Sequence, residues 1–421
     1  MFRFIHTADL HLDAPLHSLA LKDEALSDLV GSATRAAFGR IVNLCLDENV
    51  HALIIAGDLY DRDLHSMKTA AFLTTQLERL NTAEIAVFII RGNHDAASVI
   101  TKELDLPPNV RVFSGHGDSK RFEEHGIAIH GVSFSKPHAP ESLLPRYPAP
   151  VPGYFNIGLL HTSLAGSEGH DTYAPCSVSD LVNHGYDYWA LGHIHKRQIH
   201  SSEPFIVMPG MPQGRDIGEA GTKSVTLVTV SDGKATIEER HTSQVEFRRL
   251  TCALDGVGAW RDMLEMIILE MRALVSELQV ENEPARKCIL RIELTGQTPL
   301  AWRARRDMDL LNEQIKEAAD GIGLAWVEKI ECHLRQPEAL EQREDPRFEL
   351  HEIMKSLSQD QAMQARALKL TEVLVAELPP EVRSVFGADQ AALATQVAGF
   401  LGEGCDEVVA LMMSENAGED T

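Results

Sequence analysis

Up to about residue 245, short apolar runs rich in β-branched residues alternate with helical patterns and polar loops. The runs cover 2–5, 52–56, 85–90, 127–132, 156–160, 186–191, 205–208 and 224–230, and each reads as a buried strand. Apolar residues recurring every three to four positions predict amphipathic helices over 33–48 and 66–80. The later strands have no helices between them. An α/β fold follows in which two sheets stack as a sandwich flanked by helices, with α/β/β/α layering.

The rhythm then changes. Strands over 247–254, 287–295 and 324–334 alternate with helices over 259–279 and 300–319, a compact βαβαβ unit. A charged linker over 338–347 leads to helical patterns over 349–378 and 388–413, and Pro379 and Pro380 break them because proline cannot continue a helix. Three domains are expected: 1–245, a small α/β domain at 246–336 and a helical C-terminal region at 337–421. The apolar stripes of that last region serve either internal packing or docking of a partner.

The residue balance excludes disordered and fibrous classes, with 44% hydrophobic and 24% charged residues among 421. Six cysteines lie scattered without a Cys-x-x-Cys pair, which points to reduced structural thiols rather than disulfides or a thiolate zinc site. No apolar core follows a basic leader near Met1, and no run reaches the roughly 18 apolar residues of a membrane span. A cytoplasmic protein without membrane attachment is expected. The net charge of −23 is unevenly spread. Residues 1–250 hold 22 Lys plus Arg against 30 Asp plus Glu, a balance of −8, while 251–421 hold 17 against 32, a balance of −15. The acidic C-terminal part is therefore a poor primary grip for nucleic acid.

Five polar segments stand just beyond the ends of expected strands: Asp9-Leu10-His11, Gly57-Asp58-Leu59-Tyr60-Asp61, Gly92-Asn93-His94-Asp95, His161 after Leu160, and Gly192-His193-Ile194-His195. Ligands collect outside the carboxyl ends of strands in open α/β sheets, so these segments can converge. All their donors are nitrogen or oxygen, which suits a borderline or hard divalent cation. Asp9 and His11 are two residues apart, as are His193 and His195. On extended backbone each pair would point to one side. His193 and His195 could then serve two different ions. The glycines before Asp58, Asn93 and His193 suit tight turns.

This ordered set resembles the calcineurin-like metallophosphoesterases. Thr7-Ala8-Asp9-Leu10-His11-Leu12-Asp13 and Ala56-Gly57-Asp58-Leu59-Tyr60-Asp61 narrow the resemblance to SbcD-type DNA-repair exonucleases, in their bacterial YhaO-like branch. It spans residues 1 to about 230. The resemblance implies a four-layer metallophosphoesterase sandwich, a small capping domain and C-terminal helices that dock on an SMC-like ATPase. It also implies two divalent ions, manganese by expectation. One would be held by Asp9, His11, Asp58 and His195, the other by Asp58, Asn93, His161 and His193. His94 would be the catalytic histidine that binds no ion, oriented or tuned by Asp95. Some relatives carry His near the position of Asp61, where a helix start and a supporting place behind the metal ligands are equally acceptable roles.

Two divalent ions bring +4 and the two carboxylates return −2, so about +2 remains to bind a phosphodiester and acidify a bridging water. The expected activity is hydrolysis of DNA by a metal-activated hydroxide, 3′ to 5′ with some endonuclease action, by a homodimer. Lys196 and Arg197 directly follow the ligands and are the candidate phosphate contacts. His6, His51, His130, His184 and His200 read as ordinary structural histidines. Two other functions compete: a phosphatase or cyclic-nucleotide phosphodiesterase on the same metal core, and a non-catalytic interaction scaffold, which would have lost ligands.

Overall fold

A computed structural model describes residues 1–14, 24–60, 67–97, 106–164, 173–279, 285–337, 346–378, 383, 386 and 389–412. They fall into two compact units, Met1–Arg248 with Val280–Ile289, and Arg249–Gln279 with Leu290–Thr421. In the first unit β1 (Phe2–Thr7), β2 (Ala52–Ala56), β3 (Ala86–Ile90) and β4 (Val110–Val112) run parallel. Antiparallel β11 (Ser224–Ser231) and β12 (Lys234–His241) complete that sheet, in the order β12-β11-β1-β2-β3-β4. The second sheet contains β5 (Asp118–Phe122), β6 (Ile127–Gly131), β7 (Phe155–His161), β8 (Tyr188–Gly192), β9 (Gln198–Ser202) and β10 (Phe205–Met208). Its order is β5-β6-β7-β8-β10-β9, with parallel inner strands and antiparallel edges.

The period of two in the sequence builds the layers. Ala52, Ile54 and Ala56 of β2 join Phe2, Phe4, Phe88, Ile157 and Tyr188 between the sheets. The alternate residues Leu53 and Ile55 face outward, with Phe38 and Val42 of α1 (Glu24–Asp47) and Leu73 and Leu77 of α2 (Met67–Thr82). On the far side Trp189 and Leu191 pack with Leu181 of the short α4 (Val178–His184), which follows the five-residue α3 (Asn93–Ala97) in the chain. This is the α/β/β/α sandwich. His6 and His130 are buried structural groups: His6 bonds Tyr188 Oη and Leu191 O, and His130 bonds Ser119 Oγ and Asn156 Oδ1.

A three-stranded sheet of β13 (Val245–Ala253), β14 (Lys287–Gln297) and β15 (Ala325–Arg335) falls mostly in the second unit, with the first residues of β13 and β14 counted in the first. The helices of the second unit are α5 (Trp260–Glu277), α6 (Ala301–Arg306), α7 (Met308–Ile322), α8 (Pro346–Ser358), α9 (Gln361–Glu377) and α10 (Gln390–Leu411). Two helices expected to be continuous are broken. The stretch 300–319 splits at Asp307, which takes non-helical backbone and pairs with Arg306. The stretch 349–378 splits at Asp360, whose carboxylate accepts the Met363 N–H as a new N-cap. Residues 338–345 of the expected linker, Pro379, Pro380 and Asp61 lie outside the described residues; the last two linker positions, Pro346 and Arg347, are helical. Among the described residues no helix is long and apolar enough to cross a membrane.

One buried ion cluster ties the first unit together. Glu246 is fully buried, and its carboxylate accepts from Arg286 Nη1 at 2.9 Å, Arg248 Nε at 3.2 Å and Thr222 Oγ1 at 3.1 Å. Removing one partner of a buried pair leaves an uncompensated charge and costs about 3–5 kcal/mol. Arg286→Met is therefore expected to lower the unfolding free energy by about that amount in urea titrations, and the double variant with Glu246→Gln to recover part of the loss. A change below about 1 kcal/mol in the single variant would show the cluster to be incidental.

Candidate metal centre

The loops after β1 and β2 run side by side past the sheet edge. Asp9 N–H donates to Gly57 O (3.0 Å), His11 N–H to Asp58 O (3.1 Å) and Leu12 N–H to Leu59 O (3.1 Å). To do this Asp9, His11 and Asp58 take left-handed backbone, with φ of 52°, 41° and 53°. That region is sparsely populated by residues with a side chain and is a form of strain that clusters at functional sites. The expectation that Asp9 and His11 sit on extended backbone is corrected here: the strand has already ended at Thr7. His193 likewise follows the end of β8, with φ of 104°.

Two glycines make room for the side chains. A Cβ on Gly92 would come 2.2 Å from Asp58 Oδ1 and 2.8 Å from His161 Cε1. One on Gly57, at φ 97°, would meet His161 Nδ1 at 2.4 Å. Any larger residue would displace the groups on which the site is built.

Three overlapping groups of donor atoms result, each within 4.8 Å: Asp9, His11 and His195; His11, Asp58 and His94; Asp58, His161 and His193. Asn93 joins the last through Oδ1, 3.0 Å from His161 Nε2. Asp9, His11, Asp58, Asn93 and His161 are buried, while His94, His193 and His195 are half-buried at the mouth. Asp58 stands between the groups. Its Oδ1 accepts the His94 N–H (3.0 Å), and its Oδ2 lies 3.3 Å from His161 Nε2 and 3.9 Å from His11 Nε2. The His193 N–H donates to both oxygens of Asp9 (3.1 and 3.0 Å), joining the two sheets.

The electrostatics are those of a cation site. Burial alone would lower His161, but the charge and hydrogen bond of Asp58, with Asp9, lift it to about 9. Its Nδ1 pairs with the Ala56 carbonyl at 2.9 Å. Nε2 then faces two oxygens, Asn93 Oδ1 and Asp58 Oδ2, and only a proton or a cation reconciles them. His11 Nε2 and His195 Nε2 confront each other at 3.2 Å, two nitrogens aimed at one point. Burial pulls His11 well below the imidazole range, against the charge of Asp58, which favours a bare ligand nitrogen. Asp58 faces the opposite balance. Burial would raise it, yet His161, His11 and His94 hold it far below the usual carboxylate range.

Asp95, expected to orient or tune His94, is bonded to the backbone around it. Its buried carboxylate accepts the N–H groups of Leu59 (3.0 Å), Tyr60 (3.1 Å) and Gly92 (3.1 Å). It thereby fastens the loop after β2 to the start of α3, and through that helix it fixes where His94 stands. Of the two candidate phosphate contacts, Arg197 donates from its guanidinium to Thr226 Oγ1 (2.6 Å) and pairs with Glu239 (3.5 Å), on β11 and β12, whereas Lys196 is exposed.

Sequence reasoning missed Glu219 and Arg215. Glu219 Oε1 lies 2.7 Å from His195 Nδ1, and Arg215 Nη2 donates to the same oxygen (2.7 Å). Neither residue belongs to a recognisable motif. Tyr173, whose ring sits 5.0 Å from that of His193, was equally silent in the sequence.

Residues 2–197 match the calcineurin-like phosphoesterase family, and residues 247–335 match the middle domain of metallophosphoesterase YhaO. The chain is 34% identical to the uncharacterized metallophosphoesterase YhaO of Bacillus subtilis over 74% of its own length and 75% of that protein. It is 25% identical to the DNA double-strand break repair protein Mre11 of Sulfurisphaera tokodaii, over 47% of this chain and 50% of that one. With the SbcD component of the nuclease SbcCD of Escherichia coli the identity is 24%, over 55% of this chain and 66% of the relative. The chain thus spans three quarters of YhaO but only half of the archaeal Mre11.

Proposed function

The chain belongs to the calcineurin-like metallophosphoesterases, in the family of YhaO, and on that footing we propose that it is a metal-dependent DNA nuclease, a 3′ to 5′ exonuclease with endonuclease activity that acts in DNA repair. The observation that carries this reading is the meeting of Asp9, His11, Asp58, His161, His193 and His195 in donor groups linked through His11 and Asp58. Asp9, His11, Asp58 and His195 would hold one divalent ion. Asp58, Asn93, His161 and His193 would hold the second, and manganese is the metal we expect. A scaffold would have no need for the strained backbone of Asp9, His11 and Asp58.

When bound, two such ions attract the anionic phosphodiester and make water acidic enough to attack phosphorus near neutral pH. The residues of the chain divide the remaining work. Asp58 and Asp9 supply the negative charge that holds the cations, and the imidazoles and Asn93 add donors without further charge, leaving the centre net positive. His94 is held beside this centre by its backbone N–H on Asp58 and by the packing of its ring 4.8 Å from that of His11. As an imidazolium it steadies the phosphate and shares in protonating the departing alkoxide. Asp95 positions it through the backbone of α3. Exposed Lys196 is the better placed of the two basic neighbours to meet a phosphate.

DNA as the substrate is supported by the likeness to Mre11 and to the SbcCD component, which are named for double-strand break repair and nuclease activity. An SMC-like ATPase partner on the C-terminal helices is supported by their exposed apolar side chains, among them Leu370, Val373 and Leu374 of α9 and Phe400 and Leu411 of α10. We take the working form to be a homodimer in the cytoplasm. The test is incubation with manganese and end-labelled duplex, hairpin and single-stranded DNA beside a chromogenic phosphodiester. Shortening of duplex from its 3′ ends and opening of hairpins are expected. Turnover confined to the small ester would leave a phosphatase or small-molecule phosphodiesterase instead.

A further inference from the structure

His161 and His195 are braced differently behind the donor groups. The outer nitrogen of His161 meets a neutral carbonyl, Ala56 O, whereas that of His195 meets the carboxylate of Glu219 at 2.7 Å. The chain after β10 is shaped around the His195 side. Met211 N–H donates to His195 O (3.1 Å), and eight residues later Glu219 closes on the ring. Glu219 is itself held still. Arg215 donates to its Oε2 from the backbone N–H (2.8 Å) and from Nε (3.2 Å), and to Oε1 from Nη2 (2.7 Å). Asp216 caps the short turn Ile217–Glu219 by accepting the Gly218 N–H at 2.7 Å. The Glu219 side chain is only 13% exposed, so its charge is weakly screened.

We propose that Glu219 is a positioning residue of the metal centre: it keeps the proton of His195 on Nδ1, presents Nε2 as a bare lone pair towards His11, and raises the affinity of the ion on the Asp9, His11 and His195 side more than that of the other. This rests on the two-ion reading of the proposed function. A carboxylate accepting from the outer N–H of a ligand histidine fixes its tautomer and orientation and makes the inner nitrogen more basic. Losing such a partner typically costs about 10- to 100-fold in metal affinity. The carbonyl behind His161 orients its ring without adding charge, so the two ions should respond unequally to a change at Glu219.

Glu219→Gln is the test, because it keeps the size of the side chain and removes its charge. Manganese titration of the full chain by calorimetry, with ions counted after dialysis, is expected to show two ions in the parent protein. In the variant one ion should keep its affinity and the other weaken about 10- to 100-fold. Long-range 1H–15N spectra of the metal-free proteins at alkaline pH, where the ring is neutral, with the His195 signals identified by their loss in His195→Ala, should show the Nδ1–H tautomer in the parent and a mixture in the variant. Glu219→Asp, with the charge withdrawn by one methylene, should show the same selective loss and stands in if the glutamine variant does not fold. Equal weakening of both ions, or unchanged affinities with an unchanged tautomer, overturns the proposal. If the parent chain binds fewer than two ions, the two-ion reading fails instead, and the His195 tautomer still decides whether Glu219 positions the ring.

Discussion

Asp58→Asn is expected to strip the protein of its bound ions and its hydrolytic activity together. The substitution keeps the volume and leaves an oxygen to accept the His94 N–H, but it removes the one carboxylate common to two of the three donor groups. The amide that replaces Oδ2 would also turn N–H bonds towards His161 Nε2, 3.3 Å away, where a lone pair or a cation is needed. Charge stabilisation by a bound metal is worth several kcal/mol in the transition state, so the loss in rate should be about 1000-fold or more. Ion counts should fall below two per chain, and the rise in melting temperature that manganese gives the parent should shrink, since a ligand bound only by the native state stabilises it by mass action. Two ions still bound with activity within about tenfold of the parent would show that Asp58 is not the shared ligand.

His94→Ala should separate binding from chemistry. Alanine at position 94 keeps the backbone N–H that holds Asp58, so the ligands should keep their places and both ions should remain. What disappears is the half-buried ring beside His11. General acid–base assistance is typically worth about 100- to 10,000-fold, or roughly 3–5 kcal/mol, and cleavage of DNA should fall by that factor. The ion count is the sharper readout. His94 lies within 4.8 Å of donor atoms on both His11 and Asp58, so loss of an ion along with activity would make it a ligand rather than a catalytic group.

Much of the sandwich was legible because its inner strands are apolar on both faces or alternate with a period of two, as in β2 and β3. The strands that were missed are β4, β5, β9 and β12, three residues long or set at sheet edges. There the pattern gives way to charge and polarity, as in Asp118-Ser119-Lys120-Arg121-Phe122 of β5. Edge strands need only one hydrogen-bonded neighbour and no buried face, so hydrophobicity does not announce them. The donor residues were legible as a group because each follows the end of an apolar run. Their backbone was not. An Asp-x-His spacing is compatible with extended and with left-handed conformations, and only the hydrogen bonds of Asp9 and His11 to the neighbouring loop select the second. Glu219 stayed hidden for a related reason: a single carboxylate 24 positions after His195 becomes a partner only when β9 and β10 fold the chain back.

The cluster around Glu246 bears on how this protein can be divided. Arg286 belongs with Met1–Arg248 although Arg249–Gln279, which lie between it and Arg248 in sequence, belong to the other unit. Cutting the gene after codon 248 to obtain an isolated catalytic fragment would leave Glu246 in the interior with Arg248 as its guanidinium partner and take away the buried one, Arg286. A soluble truncation should therefore extend through Ile289, or carry an uncharged residue in place of Glu246 from the start.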